Sequence, residues 1–349
     1  MVARLYLDWN ATTPLRAEAR DAMLAAMDLT GNPSSVHAEG RAAKALLERA
    51  RGEIASALGA EASDVVFVSG STEAAALACA GRGLRCAAVE HEAVSAWCEA
   101  DLPVDRDGIV TLDDPARAAL QLANSETGVV QRLPAGLAVA DLTQGFGKLP
   151  FAFDWSGIDV GFVSAHKIGG PKGIGALVIR RGLDLAAQLK GGGQEMGRRA
   201  GTENLIGIAG FAAAARAAQH DLSAGRWQEV EEFRNILESA LSAGESGTIS
   251  VGNRSARLPN TLCLVTPGWK GETQVMQMDL AGYAVSAGSA CSSGKVRSSR
   301  VLRAMGFDEA EAASAMRISL GVGVQREPLL RFAEAWSRAR DKVLARLKA

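Results

Sequence analysis

Short apolar runs alternate with helical patterns along most of the chain. Segments 65–69, 86–90, 118–123, 137–140, 160–164 and 175–180 are mostly apolar and read as buried strands. Stretches 38–58 and 72–80 lie between them, with apolar positions at helical spacing. An Ala-rich helix is predicted over 203–218 and a second, charged along one face, over 227–243. Continuous apolar strands interleaved with helices predict a mainly parallel sheet covered on both faces. After Gly244 the character changes. Strands at 262–265, 284–286 and 317–320 mix with helices at 273–281 and 328–347, the pattern of a smaller α+β domain. The expected division is a large domain over 15–245 and a small one built from 1–14 with 246–349. A strand at 5–8 could join either domain.

Composition narrows the classes. The 349 residues suit two domains, and 48% hydrophobic with 22% charged residues is an ordinary globular balance. A formal net charge of −1 supplies no basic field for nucleic acid or a membrane surface. No apolar stretch is long enough to span a bilayer, and the first residues lack a signal-peptide pattern, so the cytoplasm is the expected location. The five cysteines include no Cys-x-x-Cys pair, which argues against a disulfide framework or a metal site. Cys79, Cys86 and Cys263 sit among apolar neighbours, as core filler does. Cys291 stands instead in Ser-Ala-Gly-Ser-Ala-Cys-Ser-Ser-Gly-Lys, a small-residue run where packing seldom needs a thiol.

Four segments carry candidate chemistry. The strand at 160–164 ends in Ser164, His166 and Lys167, then passes into glycines. In open α/β sheets ligands gather at the carboxyl ends of strands, and a desolvated lysine there suits imine formation. Upstream, Gly70, Ser71 and Thr72 lead from a strand into a helix, placing amides and hydroxyls where a phosphate can bind; a simple N-cap explains the same residues. Asp141 ends a third strand, with Gln144 three residues on, and a carboxylate there could pair with a pyridinium nitrogen or cap a turn. His91 ends a fourth. Each feature has a bland explanation, but their order along the chain is the one a pyridoxal-phosphate site requires.

These motifs resemble those of the cysteine desulfurases of iron–sulfur cluster assembly, in the class V aminotransferase-like group. The matching stretches are Tyr-Leu-Asp-Trp-Asn-Ala-Thr-Thr-Pro from Tyr6, Asn-Pro-Ser-Ser-Val-His from Asn32, Ser-Gly-Ser-Thr-Glu-Ala and Glu-His. Asn-Ser-Glu-Thr-Gly-Val-Val-Gln from Asn124, Ser-Ala-His-Lys and Gly-Pro-Lys-Gly follow. Later come Gly-Gly-Gly-Gln-Glu, Arg-Ala-Gly-Thr-Glu-Asn, the Cys291 run and Met-Arg-Ile-Ser-Leu-Gly from Met316.

The resemblance implies the pyridoxal-phosphate-dependent transferase fold of type I, with L-cysteine as substrate and L-alanine as product. It implies that Lys167 carries the cofactor, that Ser71, Thr72, Ser164 and His166 hold its phosphate, and that His91 stacks on its ring. Asp141 would pair with the ring nitrogen and Gln144 with the ring hydroxyl. Thr202 would reach the neighbouring subunit's phosphate in a homodimer. Arg317 would clamp the substrate carboxylate, Asn124 would assist, and Cys291 would take the sulfur as a persulfide for an acceptor such as an iron–sulfur scaffold protein. His91 would also move protons near the ring. An aminotransferase or selenocysteine lyase shares the fold, but neither requires Cys291; a non-catalytic binding relative would have no use for the retained Lys167, Asp141 and His91. Two departures stand out. Ser125 replaces the family's usual second asparagine beside the cofactor. The chain is also shortened between Ala80 and Cys86 and between Gln131 and Leu137, which predicts thinner helical cover on one face.

Overall fold

A computed structural model describes residues 4–242, 247–288 and 298–348. Its largest sheet orders five strands as Asp64–Val68, Gly175–Ile179, Val160–Ser164, Val139–Asp141 and Ala119–Gln121. The last three pair in parallel, whereas Gly175–Ile179 runs antiparallel to both its neighbours. An Arg85–Ala118 bridge continues the parallel arrangement to Arg85–Ala87, which pairs in parallel with Glu99–Leu102. The mainly parallel sheet is therefore observed, with one reversed strand that sequence periodicity could not orient.

Alternation along the buried strands divides two cores. Val65, Phe67 and Val163 face the helices Ala38–Leu58 and Leu205–Ser223, while Val66, Val68, Val160 and Phe162 face Ser71–Cys79. The helix Ala38–Leu58 forms where the sequence predicts it. Buried Ala43, Leu47, Ala50 and Ile54 make one stripe, the His37 side chain accepts from Gly40 N, and Gly59 closes the end at φ 59°. On the other face, the helices among the described residues are Ser71–Cys79 and the single turn Glu92–Ser95. This is the thin cover expected from the shortened segments.

A second, antiparallel sheet orders Ser286–Ala287, Ala315–Ser319, Thr261–Val265 and Ile249–Ser250. Its core of Leu262, Leu264, Met316, Ile318, Phe332 and Trp336 also takes in Trp227, Val230 and Leu237 from the helix Arg226–Leu241. The strand Leu5–Tyr6 pairs in parallel with Tyr283–Ala284, and Asp8 bridges Ser319. The amino-terminal segment thus runs along the second sheet before reaching the first. The expected boundary at 245 falls outside the described residues, as does Cys291.

Candidate active site

A cavity of about 780 Å³ opens where the parallel strands of the large sheet end. Three strands deliver its walls. Asp64–Val68 leads to Ser69–Thr72, Val139–Asp141 ends in Asp141 itself, and Val160–Ser164 ends before His166 and Lys167. Arg317 enters from the second sheet, and Asn10, Ala11 and Thr12 enter from the amino-terminal segment.

Lys167 is half-buried, and its Nζ donates to the carbonyls of Asn10 at 2.6 Å and Ala11 at 2.9 Å. Asp141 Oδ1 accepts the backbone N–H of Thr143 at 2.8 Å. Burial raises its pKa, and the Thr143 hydrogen bonds together with the charges of His91 and Lys167 do not fully offset that rise. A carboxylate so placed favours a cationic hydrogen-bond partner. His91 caps the helix Glu92–Ser95, its Nδ1 accepting from Ala93 N at 3.1 Å.

The opposite end is built for an anion. Ser71 and Thr72 open a helix of nine residues, so the cavity meets its unpaired N–H groups and positive dipole end. Ser71 Oγ shares a 2.7 Å hydrogen bond with Thr143 Oγ1. Lys172 adds a cation to the lining, and His166 Nδ1 lies 3.2 Å from Thr12 Oγ1. Burial, then the charges of Lys167 and Lys172, push the His166 pKa down to about 4, leaving a neutral imidazole. In the helix's first turn, Glu73 accepts from Ser69 N at 2.7 Å and Arg199 Nε at 2.8 Å. Burial alone would raise that carboxyl, but these bonds outweigh it and hold its pKa low.

Ten sequence-selected residues line this one cavity: Ser71, Thr72, His91, Ser125, Asp141, Gln144, Ser164, His166, Lys167 and Arg317. Two others do not. Asn124 lies behind the wall, its Oδ1 accepting from Glu126 N, Thr127 N and Thr127 Oγ1 while Nδ2 donates to Val89 O. Thr202 is exposed and outside the lining. Sequence reasoning assigned no role to Thr143, Asn10 or Asp8. Thr143 had a readable signal, a hydroxyl two residues after a strand-end aspartate, where such turns form. Asp8 had none: its Oδ1 takes Arg317 Nη2 at 2.6 Å across the whole length of the chain. Arg317 Nη1 donates to Ser125 O at 3.1 Å, and its buried Nε meets no acceptor among the described residues.

An amine, a carboxylate and an anion cradle around one cavity define a site for an anionic, carbonyl-bearing cofactor with a basic ring. Comparison with known proteins agrees. The class V aminotransferase model matches residues 5–332. A cysteine desulfurase IscS of Dictyoglomus turgidum is 35% identical, spanning 94% of this chain and 92% of its own. A cysteine desulfurase of a Frankia species is 37% identical over 96% and 91%. Among solved structures, a NifS-like protein from Rickettsia africae is similar at a TM-score of 0.88 and 30% identity, covering 97% of this chain and 99% of that one. The chain belongs to the class V aminotransferase family, among its pyridoxal-phosphate-dependent cysteine desulfurases. The residues present fit that cofactor: Lys167 for its aldehyde, Asp141 for its ring nitrogen, and Ser71, Thr72, Ser164 and His166 for its phosphate. No described helix is long and apolar enough to cross a membrane, and no cluster able to hold a metal occurs among the described residues.

Proposed function

We propose that this chain acts as a cytoplasmic homodimer that converts L-cysteine to L-alanine, holds the sulfur as a persulfide on Cys291 and passes it to an acceptor protein such as an iron–sulfur scaffold. The observation that carries the reading is the convergence of Lys167, Asp141 and the Ser71–Thr72 helix start on one cavity. The relatives named cysteine desulfurase support the substrate, as does a similar solved structure described as SspA in complex with cysteine, with a TM-score of 0.74 and 27% identity.

Bound pyridoxal phosphate supplies an electron-withdrawing ring conjugated to the substrate's amine. Ser71, Thr72, Ser164 and neutral His166 anchor its phosphate, and the helix dipole adds to their hold. Asp141 keeps a proton on the ring nitrogen. His91 covers the ring face and exchanges protons with substrate groups. Gln144 offers an N–H to the ring hydroxyl, and Ser125 leaves a shorter contact than asparagine would. Arg317, already steadied by Asp8 and the Ser125 carbonyl, receives the substrate carboxylate, with Asn124 holding the neighbouring turn. The Lys167 amine takes the proton from the substrate Cα. Cys291, as thiolate, attacks the substrate sulfur; the C–S bond breaks, and the carbon it leaves is protonated to give alanine. Thr202 serves the phosphate of the partner subunit.

Alanine release from L-cysteine tests the reading. Without an acceptor thiol, the parent should release alanine stoichiometric with enzyme and then stop, with persulfide detectable on Cys291. Cys291→Ala should release none. Normal desulfuration by that variant would refute the persulfide role.

A further inference from the structure

Lys148 stands apart from the groups used above. It is a lysine at 3% exposure that forms no salt bridge with any carboxylate among the described residues. Its Nζ instead donates to two neutral oxygens, Gln144 Oε1 at 3.0 Å and Asn10 Oδ1 at 3.5 Å. The charges facing it from neighbouring elements are cationic. Lys167 follows the strand Val160–Ser164, Arg317 lies on Ala315–Ser319, and Arg16, paired with Asp221, borders the same small void. A buried ammonium without a counter-charge is costly, so such a lysine is retained against a real penalty. Burial first, then Lys167 and Arg317, push its pKa down to about 7. A neutral amine still donates hydrogen bonds, so its grip on Gln144 survives loss of the charge.

What Lys148 holds is the hinge of the site. Gln144 Nε2 donates to the Asn10 carbonyl at 3.0 Å, the same carbonyl that receives Lys167 Nζ at 2.6 Å. The Asn10 side chain is fixed on every side: Nδ2 donates to Ser125 O and Thr261 Oγ1, and Oδ1 accepts from Asn260 and Lys148. With Gln144 Oε1 occupied by Lys148, the amide cannot turn over. Its nitrogen must face Asn10 and the cavity, leaving one N–H for a ligand.

We propose that Lys148 is a positioning residue, locking the Gln144 amide and the Asn10 carbonyl so that Lys167 and the cavity meet a donor and an acceptor in fixed places. The proposal rests on the functional reading above for its consequence, but its geometry is testable without cofactor. In ¹⁵N-glutamine-labelled, cofactor-free protein, the Gln144 side-chain amide signals, assigned with Gln144→Met, should shift and broaden in Lys148→Met. Should Lys148→Met fail to fold, Lys148→Gln, a donor of shorter reach, should displace the same signals. Absorbance titration with pyridoxal phosphate should then show affinity weakened roughly tenfold, the scale of one hydrogen bond, in Lys148→Met. Gln144→Met should lose about as much, and the double variant no more than either. Unmoved Gln144 signals, a fall in Tm alone, or losses that multiply in the double variant would overturn the proposal. A parent that takes up no pyridoxal phosphate would instead sink the functional reading, leaving the amide signals to decide this one.

Discussion

His166 and Asp141 face one cavity with protonation displaced in opposite senses from what their charges would suggest in water. His166, a base, is held neutral down to about pH 4, below its ordinary 6.5. The unfolded chain therefore takes up a proton near pH 6.5 while the folded chain does not. Its stabilising contribution is complete above 6.5 and is lost as pH falls from 6.5 to about 4. The Tm of cofactor-free protein should drop more steeply across that window in the parent than in His166→Asn; parallel profiles would refute the assignment. Thr143 acts on both ends of the site through its bonds to Ser71 and Asp141. Thr143→Val should weaken pyridoxal-phosphate binding roughly five- to tenfold, the worth of about one hydrogen bond, with Tm little changed. At this scale the sequence showed the residues that end strands, because strand ends are legible from hydrophobicity. It did not show Asn10 or Lys148. Asn10 works through Thr261 and Ser319, and no local pattern joins positions so far apart.

Among the elements, the cradle depends on a close approach between two glycines. Gly175 lies opposite both Val68 and Ser164 in the ladder. A Cβ at Gly175 would sit 2.6 Å from the Val163 carbonyl oxygen and 2.9 Å from Gly70 Cα, contacts with backbone that cannot yield cheaply. Gly175→Ala should destabilise the protein by about 1–3 kcal/mol and push the Ser71 helix start away from the strand. The discriminating measurement compares pyridoxal phosphate with pyridoxal. Affinity for the phosphorylated form should fall, while that for pyridoxal stays near the parent value. Elements long enough to repeat a pattern were readable, as Ala38–Leu58 was to the residue. The helix Ala17–Met27 was missed because only Ala19 and Ala26 are buried along it, too few to mark a face. Glu99–Leu102 was missed because only its final leucine is buried and the charged residues before it read as loop.

For the whole molecule the open question is whose phosphate Thr202 serves. Arg199 grips Glu73 in its own chain's cradle helix, and Gly201 N donates to Gln194 Oε1 at 3.2 Å, so this loop is tied to its own subunit. The turn beside it carries Glu195 and Met196 at φ 49° and 57°, a left-handed strain that persists only where contacts enforce it. Buried Glu195 is held by Arg51 at 2.7 Å and by Phe67 N at 2.9 Å. Such anchoring fits a rigid knuckle presented to another surface, and exposed Val36 and Met196 leave apolar area beside it for a second copy to cover. Subunit mixing decides the matter. Lys167→Ala disables its own chain's site, and Thr202→Asp, by repelling phosphate, disables the site that its threonine serves. If threonine crosses to the partner, a mixed dimer keeps one intact site, combining the Thr202→Asp chain's lysine with the Lys167→Ala chain's threonine. Two inactive variants, unfolded together and refolded as a random mixture, should then recover roughly a quarter of parental alanine release. If Thr202 serves its own chain, both sites of every mixed dimer stay disabled and the mixture remains as inactive as its parts.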